Sequence, residues 1–445
     1  MLIDHIYFIF RAVFELNIYL DKWKKSITVV LRKLGKPSYG EAKVYRLIAL
    51  LNTLGRLFLS IMADDLSHFC KSRNVFPMNQ FKGRPFRTTS DSMLLMMYRI
   101  KEAWRNKKVA LVLFLDIWGA FPNVVKEVPI HNMHLHTVPA KYVHLVELML
   151  TGCKTKLSFN NFMSDLILIN NVNNQGCPLS MIFYMFYNTG LLEISPPDTP
   201  DKQQFGYIDD IALLATGNSL AETHCKLADM MTCPGGAFDW SDSHHSHFEL
   251  TKLAVMDFTT RPHQPIPLTL THPHNSRMAV TNVAPTYKFL GVMFNPKLKW
   301  THQLERASRS ASAWINLVRQ LAWTSMGIPA KGMCQLYISI ALPKMSYAAD
   351  IWYTIPHHPN GLERHHAGAI QFTQKLVSGQ CKAVITILGA MKTTAGDVLN
   401  AHANLPPTPV IPLSVPLFPN TPSEPNPPQK IPSLFKTPLV PQAEG

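Results

Sequence analysis

The chain has 445 residues, of which 47% are hydrophobic and 16% charged, so there is apolar surface for a sizeable core and too little charge for a disordered polymer. Its 43 Lys and Arg against 29 Asp and Glu leave a formal charge of +14, which favours phosphate-rich partners because each neutralised phosphate releases counterions. Seven scattered cysteines without a C-x-x-C pair argue against a disulfide framework or a zinc knuckle and for a reducing, intracellular setting.

In chain order, Ile3, Ile6, Phe10, Val13 and Phe14 recur at helical spacing, interrupted by Asp4, Arg11 and Glu15. This predicts a packed amphipathic helix rather than a signal peptide or membrane span, and hence a soluble protein. Helix and short strands alternate to about residue 108, with Asp64 and Asp65 on an exposed helix face. Val109-Ala-Leu-Val-Leu-Phe-Leu-Asp116 is an apolar run ending in an acid, the pattern of a strand buried on both faces. Gln175-Gly176-Cys177-Pro178 reads as a tight turn into a helix with Pro178 at its first position. Met181, Ile182, Met185 and Phe186 would face the core, with Gln175 and Gly176 at the helix entrance.

Phe205 to Ala215 has two apolar arms around Asp209-Asp210 and predicts a hairpin with the acids at its tip. Asp242, His244, His245, His247 and Glu249 resemble a metal site, but neighbouring histidines at these spacings read as solvated loop residues. From about 300 to 400 the period is helical, with Leu304, Ala307, Ala311, Trp314, Val318 and Leu321 along one face. Arg306, Arg309 and Arg319 suit either phosphate contacts or a solvated face. From Leu405 onward frequent proline predicts a disordered or polyproline-like tail.

The acids carry the chemistry. Asp116 alone could simply cap a turn. Adjacent Asp209 and Asp210, however, repel one another, and an ordered tip holding both calls for a compensating cation. Hard oxygen donors suit Mg2+. Three carboxylates from two strands could hold two ions about 4 Å apart, clamping the attacking and leaving oxygens of phosphoryl transfer. A solvated Asp-Asp turn is the alternative.

Taken in order, the motifs resemble those of a non-LTR (LINE-like) retrotransposon reverse transcriptase, close to fungal elements. Trp23-Lys24-Lys25 and Val29-Val-Leu-Arg-Lys33 resemble its opening strand, Tyr45-Arg46-Leu-Ile-Ala-Leu-Leu-Asn52 a fingers motif, and Gln80-Phe-Lys-Gly-Arg-Pro85 the next. Phe114-Leu-Asp116-Ile-Trp-Gly-Ala-Phe121 and Tyr207-Ile-Asp209-Asp210 resemble the two catalytic motifs, with Gln175-Gly-Cys-Pro-Leu-Ser180 between them. Phe248-Glu-Leu-Thr-Lys252 and Tyr287-Lys-Phe-Leu-Gly-Val292 follow.

The resemblance implies an α+β right-hand polymerase: fingers and a palm with an antiparallel sheet over 14–294, a helical thumb over 295–404 and the Pro-rich tail 405–445. It implies Asp116 and Asp209 as magnesium ligands supported by Asp210, Phe121 against the ribose 2′ position, Arg46 on the triphosphate, Gln175 and Gly176 seating the nucleotide, and Lys252 protonating pyrophosphate. Its substrates would be an RNA template, a DNA primer and dNTPs, with no membrane and a nuclear location; oligomeric state is left open. Leu47, Lys82, Phe86, Trp118 and Thr251 depart from the family pattern. Missing glycines at 82 and 86 would strain the backbone if it needs positive φ there, and Trp118 would crowd a nucleotide. The family's endonuclease and a ribonuclease H have no counterpart in these residues. A catalytically dead remnant that only binds nucleic acid is the alternative.

Overall fold

The computed structural model describes residues 2–84, 87–169, 176–196, 199–262, 264–274, 278–283, 285–321, 327–353 and 367–405. Gln175, Phe86 and the Pro-rich tail from residue 406 lie outside them. The chain packs as two compact units that divide between Ala284 and Pro285. The mixed α+β architecture read from the sequence is the one observed.

The first unit opens with helix α1 (Leu2–Glu15), which buries Phe10, Val13 and Phe14 as its spacing predicts. Strands β1 (Lys25–Arg32) and β2 (Tyr45–Leu51) pair antiparallel and lead into α2 (Thr53–Ser72). Asn52 caps α2 by accepting from the Leu54 and Gly55 amides at 3.1 and 3.2 Å, so the end of the Tyr45–Asn52 motif is a helix start. On α2, Asp64 is exposed but Asp65 is half-buried and accepts a hydrogen bond from Tyr142, unlike the open face expected for both. Helix α3 (Thr89–Arg105) begins with a Thr88–Asp91 capping box.

Then follow β3 (Val109–Asp116), α4 (Glu127–Leu135), α5 (Ala140–Leu150) and β4 (Lys154–Phe159). The two-residue strands β5 (Phe162–Met163) and β6 (Ile167–Leu168) both pair with β4, which runs parallel to β1. Helix α6 (Ser180–Asn188) starts two residues later than expected: Pro178 and Leu179 form a turn closed by a bond from the Ser180 amide to the Cys177 carbonyl. Every residue of α6 except Met181 is buried, in keeping with a helix apolar on all sides.

Next come the hairpin strands β7 (Lys202–Tyr207) and β8 (Asp210–Gly217), then α7 (Leu220–Thr232), α8 (Ala237–Ser243) and β9 (Ala254–Phe258). The short strands β10 (Thr269–Thr271), β11 (Met278–Val280) and β12 (Asn282–Val283) end the unit. The sheet that matters for function has the order β12-β9-β3-β8-β7, with β3 in the middle and antiparallel to both neighbours. Leu111, Leu113 and Leu115 on one face of β3 join a core with α6, Leu227 and Met230 of α7 and Phe238 of α8. Ala110, Val112 and Phe114 face the other way and are equally buried. That leaves α3, whose buried Met93, Met96, Met97 and Ile100 stand outside the first core, to cover the second face. Coverage on both sides is why β3 is apolar without alternation.

The second unit holds the hairpin β13 (Tyr287–Phe289) and β14 (Val292–Phe294), then α9 (Thr301–Leu321), α10 (Ala330–Leu336), α11 (Leu342–Met345), α12 (Ala349–Trp352), α13 (Ala367–Leu388) and α14 (Gly396–His402). On α9, Leu304, Ala307 and Ala311 are buried, while Leu321 at its last position is exposed. Arg306 is half-buried and donates to the Gly291 carbonyl at 2.6 Å, a packing role instead of an open phosphate contact. Arg309 is exposed, and the Arg319 side chain lies outside the described residues. Among the described residues no helix is long and apolar enough to cross a membrane.

Candidate active site

The pairing of β3 with β8 sets the site. Its register runs from Val109 opposite Gly217 to Asp116 opposite Asp210, so two of the three predicted carboxylates stand directly across from each other at one end of the sheet. Tyr207 pairs with Asp210, which leaves Ile208 and Asp209 as a two-residue turn. Ile208 has φ +65°, a left-handed conformation that hairpins normally give to glycine and that a β-branched residue adopts only under constraint. Asp209 is largely buried; that burial, and then the charge of Asp116, push its carboxyl pKa above the usual value.

Lys252 reaches the same corner. The 247–249 segment lies antiparallel beside 116–118: the Trp118 amide donates to the His247 carbonyl, and the Glu249 amide to the Asp116 carbonyl, both at 2.9 Å. The short helical turn after Glu249 then brings the Lys252 ammonium to 2.6 Å from Asp116 Oδ2 and 3.9 Å from Glu249 Oε2. The Lys252 ammonium thus offsets the charge of Asp116 at this corner. The donor set of Asp116, Asp209 and Asp210 is oxygen only, which fits a hard divalent cation. Among the described residues no three carboxylate, imidazole or thiol groups converge into a ready-made cage.

Arg46 lies on β2, exposed, opposite Leu31 of β1. One residue beyond β1, Lys33 is half-buried and donates to the Lys43 carbonyl at 2.8 Å. Burial and then the Arg46 guanidinium lower the Lys33 pKa; Lys252 adds to this and Asp116 opposes it. Lys33, Arg46, Lys252 and Asp116 therefore share one electrostatic neighbourhood. The sequence placed Lys33 only at the end of a strand. The Gly35-Lys-Pro-Ser-Tyr-Gly40 connection between two apolar runs was the signal for a hairpin that would have set it beside Arg46.

Phe121 is half-buried and stacks on Tyr184 of α6, with ring centroids 5.1 Å apart and planes at 25°. Tyr184 is fully buried and its hydroxyl has no hydrogen-bond partner among the described residues. Gly176 stands at the α6 entrance with φ +118°, and a Cβ there would lie 2.5 Å from the Ala49 carbonyl oxygen of β2. Gln175 is outside the described residues.

Two departures from the family pattern can be placed in the structure. Lys82 carries no positive φ, so the missing glycine costs no backbone strain there; positive φ falls on Gly83 instead. The Lys82 ammonium lies 5.5 Å from the Tyr207 ring centroid, a cation–π contact onto the hairpin. Trp118 is 54% exposed, with its carbonyl bonded by Asn123 Nδ2 at 3.1 Å. Of the histidine-rich stretch, His245 and His247 are exposed, as expected of loop residues, and other members pair within the fold. His244 stacks on Trp240 at 4.7 Å, Asp242 pairs with His272 at 3.3 Å, and Glu249 is drawn to Lys252.

Paired carboxylates at one end of a central antiparallel strand, a turn carrying a third, and cations beside them make up the candidate site. Residues 33–294, more than half of the chain, match the family described as "Reverse transcriptase (RNA-dependent DNA polymerase)", and the chain belongs to that family. It is similar to two polymerases of Drosophila melanogaster, "Probable RNA-directed DNA polymerase from transposon BS" and "RNA-directed DNA polymerase from mobile element jockey". Each is 22% identical, over 351 and 353 residues, and each alignment covers 77% of this chain. The chain spans 37% of the length of those relatives. The mobile-element relationship expected from the ordered motifs is thereby borne out. Among solved structures, apo telomerase from Candida tropicalis is similar at 8% identity and a TM-score of 0.43, over 83% of this chain and 62% of that one.

Proposed function

We propose that the chain is the RNA-directed DNA polymerase of a non-LTR retrotransposon, joining a primer 3′-hydroxyl to the α-phosphate of a dNTP selected by an RNA template, with release of pyrophosphate. The observation that carries this reading is the Asp116–Asp210 register with Asp209 in the adjoining turn. Asp116 and Asp209, supported by Asp210, would hold divalent ions, magnesium by the character of the donors, which when bound supply the charge that stabilises the attacking and leaving oxygens.

The chain's own groups do the rest. Arg46 and Lys33 receive the triphosphate, the guanidinium by charge-assisted forked contacts. The Lys252 ammonium, freed from Asp116, donates a proton to the departing pyrophosphate. Gln175 and Gly176 seat the nucleotide against the α6 entrance. Phe121 fills the space a ribose 2′-hydroxyl would need, and Tyr184 backs it. Residues 14–294 would act as fingers and palm and 295–404 as thumb. Copying onto nicked chromosomal DNA would place the protein in the nucleus.

Purified protein supplied with poly(rA)–oligo(dT) and dTTP is expected to extend the primer with magnesium or manganese, and Asp116→Asn to abolish extension. Retention of RNA without incorporation by the unaltered protein under both metals would mark a nucleic-acid-binding remnant instead. Sugar choice gives a second check. Tyr184→Leu removes the stacked ring behind Phe121 and is expected to lower discrimination against rNTPs about 10-fold, within the range a reshaped apolar pocket supplies. Tyr184→Phe keeps the stack and loses only an unpartnered hydroxyl, so its selectivity should match the parent. Equal loss in both variants would remove the backing role.

A further inference from the structure

We propose that Asn188 and Gln80 are positioning residues for the catalytic turn, an inference that rests on the polymerase reading above. The turn needs an external constraint. Ile208 holds φ +65°, a strained conformation for a β-branched residue, and its backbone conformation determines where Asp209 next to it points. The constraint is visible. Asn188, fully buried at the last position of α6, donates from Nδ2 to the Ile208 carbonyl at 2.7 Å.

The direction of that amide is fixed by logic. A carbonyl oxygen only accepts, so the nitrogen of Asn188 must face Ile208 and its oxygen must face away. Gln80 meets that oxygen: its Nε2 donates to Asn188 Oδ1 at 3.0 Å and makes a longer contact to the Met185 carbonyl at 3.4 Å. Gln80 is also fully buried. Its backbone is tied to the hairpin from the other side, through bonds from the Gly206 amide to the Asn79 carbonyl and from the Phe81 amide to the Gly206 carbonyl, each 3.0 Å. The 79–81 segment, the end of α6 and the turn thus meet in one buried polar chain. Burying two amides is costly, the more so because Gln80 Oε1 has no hydrogen-bond partner among the described residues, and this pair is spent on the backbone next to Asp209. Neither side chain touches a reacting group; the chain acts by keeping the Asp209 carboxylate turned toward Asp116.

The test compares Asn188→Leu in the parent and in an Ile208→Gly background. A glycine adopts positive φ without strain, so it has less need of the anchor. In the parent background Asn188→Leu is expected to lower kcat about 30-fold, with KM for dTTP on poly(rA)–oligo(dT) unchanged within about 2-fold. In the glycine background the same substitution should lower kcat less than about 5-fold. Equal losses in both backgrounds would show a general packing defect and overturn the proposal.

Gln80→Met, a milder change, frees the Asn188 amide to rotate and should lower kcat about 5-fold. Should Asn188→Leu not fold, that variant carries the same two-background comparison. Amide hydrogen exchange over 205–212 separates the two readings. Faster exchange there in Asn188→Leu or Gln80→Met, with exchange in 109–115 unchanged, supports the anchor even if the parent protein incorporates nothing. Unchanged exchange over 205–212 overturns the anchor whatever the polymerase assay gives.

Discussion

Asp209→Asn is expected to give a protein that is inactive yet more stable than its parent. Under the proposed metal-holding role, loss of this carboxylate should cost on the order of 10³-fold in incorporation, about 4 kcal/mol of transition-state stabilisation. Stability should move the other way because the folded state resists the charge on Asp209, through its burial and then through Asp116. The sign follows from linkage. A carboxyl whose folded pKa is raised contributes stability below its unfolded value of about 3.9, and that contribution is lost as pH rises through the folded pKa. At pH 8 without divalent metal the parent therefore bears a cost that asparagine removes, expected as a rise of about 2 °C in the unfolding midpoint. The gain should shrink as pH falls toward 4. Thermal melts of both proteins at the two pH values decide it; a variant less stable at pH 8 would mean that the charge on Asp209 is compensated within the protein itself.

The second large effect is expected at Gly176. Its φ of +118° is closed to side-chain-bearing residues, and an added Cβ would sit 2.5 Å from a backbone oxygen of β2, which cannot swing aside as a flexible side chain could. Gly176→Ala should cost about 3–5 kcal/mol, the sum of backbone strain and overpacking, and lower the melting midpoint by about 10 °C. Gly152→Ala is the matched control: its φ is also positive, +71°, but nothing lies within 4 Å of the new methyl. It should cost only about 1 kcal/mol. Equal losses would mean that the approach of the α6 entrance to Ala49 contributes nothing. A selective loss at 176, with incorporation falling further than stability alone explains, would tie this contact to the placement of Arg46, three residues from Ala49 on β2.

What could be read from the sequence follows from range. The run 109–116 announced a buried strand because helices cover both of its faces, and the Asp209-Asp210 pair announced a turn because two apolar arms flank it. The N-terminal helix was legible from its period. The opposition of Asp116 and Asp210 was not, since register resides in hydrogen bonds between distant segments and no local pattern encodes it. The role of Asn188 was not legible either, since its partners Gln80 and Ile208 come from other parts of the chain. Lys33 needed the β1–β2 pairing before its nearness to Arg46 had meaning. The start of α6 was misjudged by two residues because proline fits the turn before a helix as well as its first position.

The ladder between β3 and β8 also acts as a ruler. Successive residues on a strand point to opposite sides, so deleting a single position between Val109 and Leu115 would rotate the acid toward a helix-covered layer and break the alignment with Asp210. Connections between motifs carry no such count. Length variation among members of this family belongs in the stretches joining the strands, while the eight residues of β3 admit substitution but neither insertion nor loss.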